Sequence, residues 1–158
     1  MFRKMRRFGQ QLSDEDCRLV LREAKRGVLS VLGDEGYPYG VPIDFWYDED
    51  RNRICFHGAK AGHKIDAIRA CSKVSFCTWD EGYRKEGEWA LNFHSVIAFG
   101  RIHFVEDHDR MVEICSHLVH KFTDDEEYLE QELQHAGGAV QCLEIEVEHM
   151  TGKRVNES

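Results

Sequence analysis

Two short turn-rich breaks early in the chain constrain the fold more than any other feature. Gly33-Asp34-Glu35-Gly36 and Asp48-Glu49-Asp50-Arg51-Asn52 separate three β-patterned runs at residues 27–32, 37–47 and 53–57. Breaks this short can join antiparallel neighbours, whereas a parallel crossover takes a dozen or more residues. A doubly wound sheet of parallel strands is therefore excluded, and the three runs are expected to form a β-meander.

The rest of the chain extends this pattern. Ser13 is a good N-cap, followed by Asp14, Glu15 and Asp16 and the apolar Leu19-Val20-Leu21, which predicts a helix ending before Gly27. A short helix is expected at 65–70, strands at 73–79 and 90–105, and helices at 107–122 and 124–135. Gly137-Gly138 should stop the last helix before an alternating strand over 139–150. The predicted class is mainly β with flanking helices: a small antiparallel barrel of about six strands.

Length and composition fit that picture and narrow the function. A chain of 158 residues suits a single domain over 1–158, with a basic arm at 1–12. Met1 to Phe8 carries two lysine or arginine clusters but continues into polar and acidic residues, not the apolar core of a signal peptide. Twenty-one basic against 29 acidic residues give a net charge of -8, which argues against a nucleic-acid binder. No apolar run is long enough to span a bilayer. The six cysteines are dispersed with no Cys-x-x-Cys pair, which reads as reduced thiols in a cytoplasmic protein.

Three stretches could carry chemistry. Both prolines of the chain fall in Tyr37-Pro38-Tyr39-Gly40-Val41-Pro42-Ile43, inside a predicted strand. Proline donates no ladder hydrogen bond and glycine marks a bulge, so the strand should be irregular and its backbone free to meet a planar heterocycle. An edge strand that uses proline to block aggregation fits the same residues. Phe56-His57-Gly58-Ala59-Lys60-Ala61-Gly62-His63-Lys64 runs from a strand end to a helix start. Small residues, a helix N-terminus and cationic side chains together suit a phosphate monoester, although a solvated basic turn has the same composition. It matches neither a Walker A loop nor a dinucleotide fingerprint. In Phe93-His94-Ser95-Val96-Ile97, Ser95 could donate to a phosphate or a ring carbonyl, or simply face solvent. His117 and His120 lie three apart on a predicted helix, but no third and fourth ligand accompany them, so no metal site is assigned.

Taken together with Met5-Arg6-Arg7, Gly27-Val28-Leu29-Ser30 and His149-Met150-Thr151-Gly152-Lys153, these stretches resemble the FMN-binding split barrels related to pyridoxamine 5′-phosphate oxidase. Within that group the chain is most similar to the nitroimidazole-resistance branch. The resemblance implies a six-stranded antiparallel split barrel, assembled as a homodimer with FMN at the subunit interface. It turns Tyr39, Gly40, Val41, Pro42 and Ile43 toward the flavin ring. It places His57, Gly58, Ala59, Gly62, His63 and Lys64 around the phosphate and ribityl chain, with Ser95, Val96 and Ile97. Thr151 and Lys153 close the site near the ring, from the same subunit or from its partner.

The resemblance also assigns a catalytic role to His57 or His63 without choosing between them. It implies reduction of a small organic acceptor, with reduced nicotinamide, NAD(P)H, as donor. Two alternatives stand beside it. One is an oxidase of a pyridoxamine-type substrate, which lacks the arginine cluster that a second phosphate would need. The other is a non-catalytic module holding flavin or haem. The stretch 79–89 matches no motif, which leaves substrate preference open.

Overall fold

A computed structural model of the chain describes residues 1–156, apart from the side chains of 135–137. Seven strands form one antiparallel sheet: β1 (Arg26–Leu32), β2 (Pro38–Asp44), β3 (Trp46–Asp48), β4 (Arg53–Ala59), β5 (Lys73–Trp79), β6 (Asn92–Val105) and β7 (Val140–Asn156). Their order is β2-β1-β5-β6-β7-β4-β3. Four helices flank it: α1 (Asp14–Glu23), α2 (His63–Ala70), α3 (His108–His120) and α4 (Glu126–Ala139). The sheet curls into the half-barrel of a split barrel, with seven strands where six were expected. Strand alternation turns Leu29, Val31, Phe56, Phe76, Val96 and Leu143 into the concave core. There they meet Cys17, Val20 and Leu21 of α1 and Ile65 and Ile68 of α2.

The extra strand comes from the 37–47 run, which is not continuous. Phe45 is fully buried, and its turn into the core breaks the run into β2 and β3. The corner is held from both sides. Phe45 donates its N–H to Lys25 O at 3.2 Å, and Lys121 Nζ donates to Phe45 O at 2.7 Å and to Ala24 O. The expected meander is consequently two hairpins at opposite ends of the sheet, β1–β2 and β3–β4. A second correction concerns α4, which runs through Gly138 to Ala139 instead of stopping before Gly137.

Helix starts follow the expected chemistry. Ser13 Oγ accepts from Asp16 N at 3.1 Å, Asp107 accepts from Arg110 N at 2.9 Å, and Asp125 accepts from Glu127 N and Tyr128 N. α3 is then clamped to the sheet by ions. Arg110 reaches Asp48 at 2.7 Å, Glu113 at 2.9 Å and Glu144 at 3.0 Å, and Arg53 pairs with Glu144 from the other side. Burial pushes the Asp48 carboxyl up, but the hydrogen bonds from Arg51 and Arg110 outweigh it and hold the group below the usual carboxylate range. The N-terminal arm lies on the sheet through apolar and backbone contacts. Phe2 stacks on His149 at 4.6 Å, Gln11 bridges to Lys153, and Leu12 is buried.

Candidate functional site

β2 is an edge strand with a regular ladder to β1 from Pro38 to Asp44, so the expected irregularity is absent. Its backbone is nevertheless free on one side. Gly33 donates to Tyr37 O at 2.8 Å, and Phe45 donates to Lys25 O. Antiparallel pairs alternate, so the odd-numbered residues between them bond to β1, while Pro38, Gly40 and Pro42 face outward. Proline sits where no N–H is needed, and the Gly40 N–H and three carbonyls line an open edge.

That edge and the other end of the sheet line a common cleft. Beyond Cys55, β4 has no β3 partner, and its end lines that cleft together with β2. The result is a cleft of about 470 Å³ lined by Pro42, Ile43, Asp44, His57 and Lys64, with one wall from α3, α4 and the turn between them. Lys64 is half-buried at the start of α2. Its Nζ lies 5.7 Å from the Phe56 ring centroid and 3.1 Å from where a Cβ on Gly58 would stand, so glycine keeps room for the ammonium. Burial lowers the ammonium below the ordinary lysine range, and no carboxylate among the described residues pairs with it. His57 opens to solvent on one side. Desolvation by the surrounding protein lowers its imidazolium, with Lys64 adding to the shift against the acids Glu132 and Asp44.

The structure separates the two histidines. His63 Nε2 accepts the Asp34 backbone N–H at 3.2 Å, and its ring stacks on Tyr39 at 4.3 Å. It thus ties α2 to the β1–β2 hairpin, and Tyr39 serves the same contact. Gly62 enters α2 at φ +120, a conformation that favours glycine, and Ala59 ends β4 at the surface.

The remaining sequence-selected residues occupy the outer face of the sheet. Pro42, Val28, Cys77, Ile97 and Thr151 align in one cross-strand row, with Gly40, Ser30, Ser75, Phe99 and His149 in the next. Trp79, Ser95 and Lys153 form a third row. Thr151 stands four strand spacings from Pro42, roughly 19 Å along the sheet. A single chain therefore does not bring Ser95, Ile97, Thr151 and Lys153 to the His57–Lys64 cleft. Val96 points into the core at 1% exposure, and Val41 packs against the same core, so neither side chain reaches the outer face.

Sequence reasoning missed the other cleft wall: Leu118, Val119, Phe122, Tyr128 and Glu132, together with Asp44. No spacing links α3 and α4 to a loop 60 residues earlier. His117, considered as a metal ligand, stacks on Trp46 at 4.0 Å, and His120 meets Glu126 at 3.1 Å. No three His, Cys, Asp or Glu side chains converge as a metal set among the described residues. Among those residues no helix is long and apolar enough to cross a membrane.

Solved structures share this architecture. A candidate 5-nitroimidazole antibiotic resistance protein from Bacteroides thetaiotaomicron superposes with a TM-score of 0.75 at 19% identity, over 92% of this chain and 87% of its own. An FAD-binding protein from Mesorhizobium loti gives 0.69 at 22%, over 92% and 97%. An FAD and heme binding protein from Mycobacterium smegmatis gives 0.71 at 17%, over 94% and 74%. At these identities the likeness speaks for the fold alone. No curated protein matches the chain. The sequence model of the pyridoxamine 5′-phosphate oxidase family, however, matches residues 13–154, nearly the whole half-barrel. The chain belongs to that family.

Proposed function

We propose that the protein is an FMN-dependent oxidoreductase that reduces a small organic acceptor, such as a 5-nitroimidazole or another nitroaromatic, with NAD(P)H as donor. The observation that carries this reading is Lys64: a half-buried cation with no anionic partner among the described residues, beside glycine amides and an open strand edge. Such a group is costly unless something anionic meets it. A phosphate monoester at Lys64 and the 58–62 backbone would leave a planar ring to lie along Gly40 and Pro42. FMN supplies two-electron transfer when bound. His57, neutral at pH 7, would offer a ring nitrogen to the same cleft as hydrogen-bond donor or acceptor. Ser95, Thr151 and Lys153 would reach that ligand only from a second copy of the chain, hence a homodimer with the cofactor at the interface. Six cysteines, all free, suit a cytoplasmic setting.

The absorption spectrum of the purified protein tests this reading, with the released chromophore weighed by mass spectrometry. Two flavin bands and the FMN mass are expected. A Soret band would instead favour the haem-binding reading, for which the solved Mycobacterium smegmatis protein is the precedent. A colourless protein that takes up no added FMN would rule out the flavin reading. A pyridoxamine-type substrate, which would bring a second phosphate, is disfavoured because Arg26 and Lys25 beside the cleft are engaged: Arg26 pairs with Asp44 at 2.7 Å, and Lys25 lies over the Phe122 ring.

A further inference from the structure

The cysteines take no part in the chemistry proposed above, yet two of them touch. Cys115 of α3 and Cys142 of β7 bring their Sγ atoms to 3.7 Å, inside a small buried cluster with Cys55, Val105, Ile114 and Leu118. Their neighbours tie them to the cleft. Antiparallel partners share a face, and Cys142 stands directly across from His57. Leu118 and Val119 follow Cys115 at helical spacing, hence on the same side of α3, and both line the cleft. The two thiols therefore lie one side chain behind the cleft lining. They are 27 positions apart, and the other wall residues, Phe122, Tyr128 and Glu132, all fall between them. A bond between the sulfurs would close the base of the excursion that carries that wall.

The pair is chemically unequal. Cys142 Sγ has two acceptors, Cys115 Sγ at 3.7 Å and Met111 O at 3.9 Å, and so keeps its proton. The hydrogen bond between the thiols holds Cys115 below the ordinary thiol range and pushes Cys142 above it. Cys115 is then the sulfur that ionises and attacks. Burial pushes the neighbouring Cys55 thiol up to about 12. Cys115 and Cys142 are 5% and 0% exposed, so an oxidant that reaches them from the cleft must be little larger than water. We propose that Cys115 and Cys142 are a dithiol oxidised by hydrogen peroxide, and that their reversible disulfide staples the wall of the His57–Lys64 cleft. The Cys115 thiolate attacks one peroxide oxygen and the O–O bond breaks. Cys115 becomes a sulfenic acid, and the departing hydroxide takes up the proton that Cys115 gave. The Cys142 sulfur then attacks the Cys115 sulfur, and the sulfenic oxygen leaves as water with the Cys142 proton. Two thiols lose two electrons, and one peroxide is reduced to two waters. A transient, oxidant-driven disulfide is the kind that a reducing compartment allows. The cross-link draws on no cofactor and stands independently of the flavin reading.

Peptide mapping of the reduced, folded protein after brief exposure to hydrogen peroxide tests the inference. Cys115 lies in the tryptic peptide 111–121 and Cys142 in 122–153, so the cross-link joins two otherwise separate species. The joined peptide should appear before Cys17, Cys55, Cys71 or Cys77 is modified, and dithiothreitol should release it. Oxidised glutathione, too bulky to pass the cleft lining, should leave both thiols free. Cys142→Ala should stop the reaction at a sulfenic acid on Cys115, trapped by dimedone, while Cys55→Ser should leave the cross-link in place. Lys121 is the one tryptic site between the two cysteines, and it is tied down by its bonds to Ala24 O and Phe45 O. Its cleavage under native conditions reads opening of the wall and should slow roughly ten-fold on oxidation. No joined peptide, a Cys55–Cys142 bond, links between chains, earlier oxidation of another cysteine, glutathione on Cys115, or Lys121 cleavage indifferent to oxidation would overturn the inference.

Discussion

Lys64 and the two histidines show how much a single side chain's surroundings can say. The ammonium of Lys64 is lowered by burial alone, so an anion that binds it will favour its charged form. FMN affinity should then hold steady through neutral pH and fall as pH rises through that lowered value, earlier than an exposed lysine would allow. Lys64→Ala should weaken FMN roughly ten- to hundred-fold at pH 7, the worth of a charge-assisted hydrogen bond, and should abolish the alkaline decline. Fluorescence titration of flavin across pH reads both effects. The histidines should separate by a different measurement. His63→Ala removes the acceptor for Asp34 N–H and the stack on Tyr39, and should cost about 1–2 kcal/mol in denaturant melts. His57→Ala should leave stability nearly unchanged and alter flavin binding or turnover. Sequence spacing made these positions candidates because cationic and small residues gathered at one strand–helix junction. It could not rank them, since what distinguishes His63 is a contact with a hairpin nearly thirty residues earlier.

The element that sequence reasoning read least well is the corner at Phe45. An aromatic among strand-forming residues continues a β pattern locally; only the core and the Lys121 ammonium, from α3's end, decide that the chain turns there. The prolines of β2 were legible as punctuation, yet whether they marked a bulge or an edge depended on sheet order, which no local pattern holds. The same non-local logic fixes α3, whose clamp can be tested. Arg110→Met would leave Asp48 with Arg51 alone and Glu144 with Arg53 alone, losing two charge-assisted contacts of a half-buried network and costing about 2–3 kcal/mol. The sign of the pH effect follows from Asp48. Its folded value lies below the ordinary one, so its contribution is present at neutral pH and is lost as pH falls through that lowered value. Without Arg110 the lowering is weaker, although Arg51 still opposes burial, and Asp48 takes up a proton more readily. The stability gap between the two proteins should therefore narrow on acidification below about pH 4 in urea melts, near the unperturbed aspartate range.

At the scale of the whole molecule, the outer face of the sheet is the feature a single chain does not account for. Leu32, Trp79, Ile97 and Phe99 are exposed on it, and its rows continue unbroken across five strands from Pro42 to Thr151. Four large apolar side chains left to water on one sheet face are suited to an interface. The sequence did mark its members, because alternation along β6 and β7 puts Ser95, Ile97, Thr151 and Lys153 on one side. Only the register shows that they stand too far from Lys64 to serve the same copy. If a second copy covers this face, one change should undo two properties together. Ile97→Arg places a charge at the centre of the middle row, opposite Thr151, without touching the core beneath. Sedimentation should report a mass near twice 18.4 kDa for the unmodified chain and a monomer for the variant. FMN affinity should fall in parallel, although Ile97 lies three strands from the cleft. A monomeric variant that still bound FMN at full strength would mean that the cleft is complete within one chain and that Ser95, Thr151 and Lys153 take no part in it.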